Sequence, residues 1–145
     1  MTKLTVASVA DILERETEPT IKEWLRRVNL VSELRDIRLS DADRTGHLPK
    51  LFCDLTRRLR LTEVCASAGS ASARAHGQKR REQGYTLSML VEESRMLQVA
   101  TFSTLHLHQR ELDQDQLLLD IIVIADEVDG QLVETVRSLL EAKPV

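Results

Sequence analysis

Aromatic side chains are almost missing: Trp24, Phe52, Tyr85 and Phe102 are the only ones in 145 residues. A core must then be built from Leu, Val, Ile and Ala, which suits packed helices. Glycine and proline are scarce too, at five and three, and most of them fall at apparent boundaries. The length is that of one domain, residues 1–145, able to bury a sizeable core. Cys53 and Cys65 form no CxxC pair and have no histidines at zinc-finger spacing, so they read as reduced thiols. The most apolar segment, "LLLDIIVIA", is interrupted by Asp120 and is too short to span a bilayer. The start, "MTKLTVASVADILERE", carries acidic residues and no long apolar run, so it is no signal peptide. Net charge is −3, which gives no electrostatic case for a nucleic acid or an anionic membrane. With 42% hydrophobic and 30% charged residues, the expectation is a cytoplasmic globular domain.

What is present is helical periodicity. Val6, Val9, Ala10, Ile12 and Leu13 outline a short first helix. Pro19 offers a first-turn position for a second, with the stripe Ile21, Trp24, Leu25, Val28 and Val31. After the polar break "RLSDADRTG", a helix starting between Thr45 and Pro49 buries Leu48, Leu51, Phe52, Leu55 and Leu59. "SAGSAS" is a second break, with Ser70 or Ser72 as N-cap. Ala73 to Gln83 forms a shorter helix stopped by Gly84. Thr86 caps a long one reaching about Arg110, with Leu87, Leu90, Val91, Ser94, Leu97 and Thr101 on one side.

The last segment is ambiguous locally, because "DIIVIAD" read alone looks like a strand. Leu117, Ile121, Ile124, Val128 and Leu132 nevertheless recur at spacings of three and four. Leu118, Ile122, Ala125, Val133, Val136 and Leu140 widen that face, while Asp120, Glu127, Gln131, Glu134 and Ser138 fall largely opposite. The pattern predicts a helix from about Asp115 to Ala142. The fold class is therefore all-α, a five- to six-helix bundle with a long fourth or fifth helix and a long C-terminal one.

Chemistry leaves few marks. His106 and His108 point in different directions on a helix and do not share a metal. No HExxH and no carboxylate–histidine set stands at ligand spacing, and no second signature accompanies a haem-ligating histidine. There is no G-x-S-x-G elbow, and "SAGSAS" lacks the Lys and the strand of a phosphate loop. Glu92 and Glu93, being adjacent, diverge as parts of a solvated face. Neither enzymatic activity, cofactor nor metal is expected.

One stretch stands out, "ARAHGQKRREQGYTLSMLVEE". His76, Arg80 and Gln83 are spaced i, i+4, i+7 and make one polar stripe. Ala73, Gly77 and Gly84 beside it are small, so this helix can approach a neighbour closely and carry long polar side chains into the interface. Buried polar groups need partners, and His47 in "DRTGHLP" is a candidate. The expectation is a cluster of His47, His76, Arg80 and Gln83, with Gly77 and Gly84 as close-packing glycines. Such a cluster is either a hydrogen-bonded seam or a pocket for a small ligand. A helix-turn-helix reading fails on the helix after Gly84, which opens with Leu87, Ser88, Met89, Leu90 and Val91 rather than base-reading side chains.

The order "DRTGHLPKLFCDLTRRL" then "ARAHGQKRREQGYTLSMLVEESRML" resembles the RsbT co-antagonist (RsbRD-type) N-terminal domain of bacterial sensor histidine kinases and stressosome proteins. The resemblance covers roughly Ile12 to Leu140, and His47, Pro49, His76, Gly77, Arg80, Gln83 and Gly84 carry the pattern. It implies a cytoplasmic sensor and dimerisation module that regulates an attached or partner kinase or other output domain, in a two-component or stressosome pathway. Related stressosome domains resemble globins without haem, so it also implies a globin-like arrangement. The leading expectation is a non-enzymatic, homodimeric signalling input domain with no nucleic-acid or membrane partner. The alternative is a small-ligand or haem-type sensor with a pocket near His47 and His76; a nucleic-acid-binding regulator is weaker still.

Overall fold

The computed structural model describes residues 6–61 and 70–141. Helices dominate: α1 (Val9–Arg15), α2 (Thr17–Val28), α3 (Ser32–Arg35), α4 (Asp41–Thr45), α5 (Leu48–Arg60), α6 (Ser70–Glu82), α7 (Leu87–Leu107) and α8 (Gln114–Leu140). A 3₁₀ turn, Gln109–Glu111, joins the last two. The described residues contain no strand, only one bridge between Ala7 and Leu112. None of the helices is long and apolar enough to cross a membrane. The chain is thus an all-α bundle, with "DIIVIAD" inside α8 as the three-and-four spacing requires.

Local signals set the helix ends. Ser8 caps α1 and Ser40 caps α4, each side chain accepting a backbone N–H three residues on. Thr86 does the same for α7. The polar break "RLSDADRTG" contains the one-turn α4, which brings Arg44 inside. Ser70 and Ser72 fall within the helical residues of α6, and Cys65 lies outside the described residues.

The helix α7 is central, with α1, α2 and α8 packed on it, while α6 lies along α8 as the most extensive helix pair. Ile12, Leu13, Val28, Leu34, Leu48, Leu55 and Ile124 are fully buried around Trp24. Each such side chain contributes about 1.5–3 kcal/mol of transfer free energy. Two helix faces differ from expectation. On α7, Leu87 and Val91 are exposed, while Met89, Leu90, Glu93, Met96, Leu97 and Ala100 point inward. On α8 the expected stripe is buried at Ile124 and Val128, but three residues assigned to solvent are buried beside it: Glu127, Gln131 and Ser138 are 0%, 6% and 1% exposed. Leu118, Ile122, Val133 and Leu140, assigned to the core, are 47–68% exposed. The reason is the neighbour. Helix α6 is poor in apolar side chains, so α8 meets it with polar ones that hydrogen-bond to its backbone. Ser138 Oγ donates to the Arg74 carbonyl (2.6 Å), and the Thr135 hydroxyl shares its proton between the Gln131 carbonyl of its own helix (2.8 Å) and that of Ala73 (3.2 Å).

Candidate functional site

Between α5, α6, α7 and α8 lies a cavity of about 350 Å³, near the lower end of the range for small-molecule sites. Its walls are mixed: Leu51, Leu90, Leu97, Val128 and Leu132 on the apolar side, with His47, His76, Glu93 and Gln131 as polar groups. His47 stands at the N-cap of α5 but makes no capping hydrogen bond, which leaves its imidazole to face the cavity. His76, on α6, stacks on it with ring centroids 3.7 Å apart and planes 14° from parallel. The edge of Trp24 meets His47 at 5.8 Å.

Behind the histidines is a buried ionic network. Arg80 is 1% exposed and Glu93 4%. Arg80 Nη2 lies 3.3 Å from Glu93 Oε2 and donates to the Arg44 carbonyl at 2.7 Å, while Nη1 donates to Gln83 Oε1 at 2.8 Å. The Tyr85 hydroxyl donates to Glu93 Oε1 and accepts from Arg44 Nη1 at 2.8 Å. The guanidinium of Arg80 also sits 4.6 Å from the centre of the Tyr85 ring. Trp24 Nε1 donates to the Glu93 carbonyl at 3.0 Å, which joins α2 to the same point.

The structure therefore brings His47, His76, Arg80 and Gln83 into one cluster. It also adds Arg44, Tyr85, Glu93 and Trp24, which sequence reasoning missed. Glu93 corrects the solvated-face reading. It shares the helical face of Leu90, Leu97 and Ala100 at spacings of three, four and seven, a signal that was available. Arg44 and Tyr85 had none, because a polar turn and a position after glycine both read as surface. The two glycines part company. A Cβ on Gly77 would lie 2.3 Å from the Thr135 carbonyl oxygen, so this residue allows the α6–α8 approach. Gly84 is not a close-packing residue: a Cβ there meets nothing within 4 Å, and its φ of +88° marks a left-handed helix stop. The Tyr85 N–H reaches back to the Arg80 carbonyl (3.0 Å) and that of Gly84 to Arg81 (3.1 Å), the pairing that closes a helix on glycine.

The fold also brings together side chains that are far apart in the chain. Although no ligand spacing is visible along the chain, His47, His76 and Glu93 each place one donor atom within 4.8 Å of the others'. His106 and His108 diverge as two-residue spacing requires. His108 Nδ1 is 2.8 Å from Glu111 Oε2, whereas His106 is exposed.

Loss of water around the half-buried imidazoles lowers the affinity of both for protons. His47 is held well below its ordinary value of 6.5 by burial, then by His76, Arg80 and Lys79. His76 is lowered to about 3 by burial, then by Arg80 and Lys79. Burial pushes Glu93 up, while Arg80, Tyr85 and Arg44 draw it back. The unfolded chain has ordinary histidines, so it takes up protons below about pH 6.5 while the folded pair stays neutral. Stability from this pair is then fully present above about pH 6.5 and declines as pH falls towards about 3. Glu93, raised on folding, works in the opposite sense. Urea midpoints should fall between pH 7 and pH 5, roughly, before most carboxylates titrate. Replacing both His47 and His76 by Gln should flatten that slope; an unchanged slope would assign it elsewhere.

Comparison with family models, with curated proteins and with solved structures finds no match for this chain.

Proposed function

We propose that the chain is a non-enzymatic, cytoplasmic signalling input domain of the RsbRD type. It reads occupancy of the cavity and passes the result through α8 to a kinase or other stress-response output module. The observation that carries this reading is the cavity itself, with a stacked histidine pair at its polar end and a buried ionic network bracing that end. Helix α8 lines the cavity with Val128, Gln131, Leu132 and Thr135. A shift at the cavity is therefore felt along a single rigid element. Glu93, Arg80, Tyr85 and Arg44 hold one another in place, which supports positioning over catalysis.

The opposite face of α8 supports self-association. Leu118, Ile122, Val133 and Leu140 are exposed and fall on one stripe at helical spacing. A second copy of the chain is the proposed partner, since two-fold dimers are the commonest assembly. A net charge of −3 and the apolar start of α7 weigh against nucleic acid.

The test has two arms. In a full-length signalling protein carrying this domain, Ser94→Phe, which fills the cavity from α7, should lock the output at one level. A response that stays intact would overturn the sensory reading. Sedimentation equilibrium at micromolar concentration should show a dimer that Ile122→Glu converts to a folded monomer. A wild-type chain that is monomeric throughout would remove the dimer.

A further inference from the structure

Three side chains with lone-pair donors converge at the polar end of the cavity: His47 from the start of α5, His76 from α6 and Glu93 from α7. One donor atom of each lies within 4.8 Å of the other two. Zinc-type ions bind nitrogen and oxygen at about 2.0–2.2 Å, which puts donors of a tetrahedral site about 3–3.5 Å apart. The set is thus within roughly an ångström or two of binding geometry, a distance side-chain rotation can close. The rings must also tilt out of their parallel stack, because an imidazole lone pair lies in the ring plane. The cavity beside them gives room for that tilt.

Of the three, only Glu93 is engaged by other side chains, through its ion pair with Arg80 and the Tyr85 hydroxyl. No hydrogen bond to a described residue holds either imidazole. Glu93 Oε2 is buried without a hydrogen bond, and its contact with Arg80 at 3.3 Å is long for a charge-assisted one. Arg80 is the obvious competitor for that oxygen. Its bonds to Gln83 and to the Arg44 carbonyl would keep it in place when the oxygen turns to an ion. The Tyr85 hydroxyl holds the other carboxylate oxygen, which orients Glu93 as outer partners orient metal ligands.

We propose that His47, His76 and Glu93 bind a divalent transition-metal ion of the zinc type, with its remaining coordination positions open to the cavity. Two imidazoles and one carboxylate select such an ion over magnesium or calcium, which prefer all-oxygen sites. The proposal deepens the sensory reading of the same cavity and rests on it for its regulatory meaning.

The chelator-treated protein is titrated with Zn²⁺ alone by calorimetry, and separately with Co²⁺ for its visible d–d bands. One equivalent should bind, with Co²⁺ bands of a four- or five-coordinate ion. His76→Gln and Glu93→Gln should each weaken binding at least about 100-fold, the upper end of what losing even an outer partner costs. His106→Gln, on the remote surface, should change nothing. Should the site variants fail to fold, ring ¹⁵N shifts of His47 and His76 in the wild-type protein on adding Zn²⁺ still decide the matter. Absence of one-equivalent binding, or ring shifts confined to His106 and His108, overturns the proposal. If Zn²⁺ fails to bind while Ser94→Phe still locks the output, the metal assignment falls and the sensing cavity stands. If Zn²⁺ binds while Ser94→Phe leaves the response intact, the site stands as structural and the sensory reading falls.

Discussion

Arg80→Ala is expected to cost about 3–5 kcal/mol in urea unfolding, the usual result of removing one partner from a buried ion pair. Arg80 and Glu93 are 1% and 4% exposed. Without Arg80, the carboxylate keeps Tyr85 as a donor but loses its adjacent countercharge. The Arg44 carbonyl and Gln83 Oε1 each lose a donor as well. The loss is mostly the cost of a stranded charge, so removing that charge should recover it. Arg80→Met combined with Glu93→Gln should be more stable than Arg80→Met alone by about 2 kcal/mol or more, since neutralising a buried pair as a unit is often tolerated. Additive single and double variants would show that the pair does not interact. An Arg80→Ala cost below about 1 kcal/mol, typical of an exposed pair, would mean the network is hydrated in solution.

Gly77→Val is expected to open the α6–α8 seam, at a cost of about 3 kcal/mol or more. The added Cβ would stand 2.3 Å from the Thr135 carbonyl oxygen and 2.9 Å from Ser138 Cβ. The nearest of these atoms is backbone, so no rotamer change relieves the clash and α8 itself must move. Overpacking typically costs about 1–3 kcal/mol, and separating the helices also breaks the bond from Ser138 to the Arg74 carbonyl, worth about 0.5–1.5 kcal/mol. Gly77→Ala should lie at the lower end of the same series. Gly84→Ala makes the contrast: nothing crowds its Cβ, so the cost is only the left-handed backbone, about 1–2 kcal/mol. Gly84→Asn should cost less than Gly84→Ala. Thermal melts of the four variants would check the order, and equal losses at both glycines would contradict the packing role of Gly77.

The polar cluster was only half legible. His76, Arg80 and Gln83 declared themselves by helical spacing beside small residues, because that rule depends only on one helix. Arg44, Tyr85 and Glu93 did not. Their burial depends on the α4 turn, the bend after Gly84 and the inner face of α7 all meeting at one point. Metal-ligand spacing fails for the same reason: His47, His76 and Glu93 come from three helices, and no local pattern records their convergence.

By itself the sequence determined the longer helices and several of their ends, since three-and-four spacing, a threonine cap and a left-handed glycine act over a few residues, whereas the one-turn α3 and α4 carry no such periodicity. It also determined that α6 would press closely on a neighbour, because Gly77 leaves no side chain in the way. Only the tertiary structure decided which face of α8 that neighbour would take. Hydrophobic periodicity turns the richest apolar stripe inward when the partner surface is apolar. Here α6 offers backbone carbonyls and a glycine, so Gln131, Thr135 and Ser138 of α8 turn inward and Leu118, Ile122, Val133 and Leu140 remain outside. The orientation follows from the pair of helices, and neither helix encodes it alone.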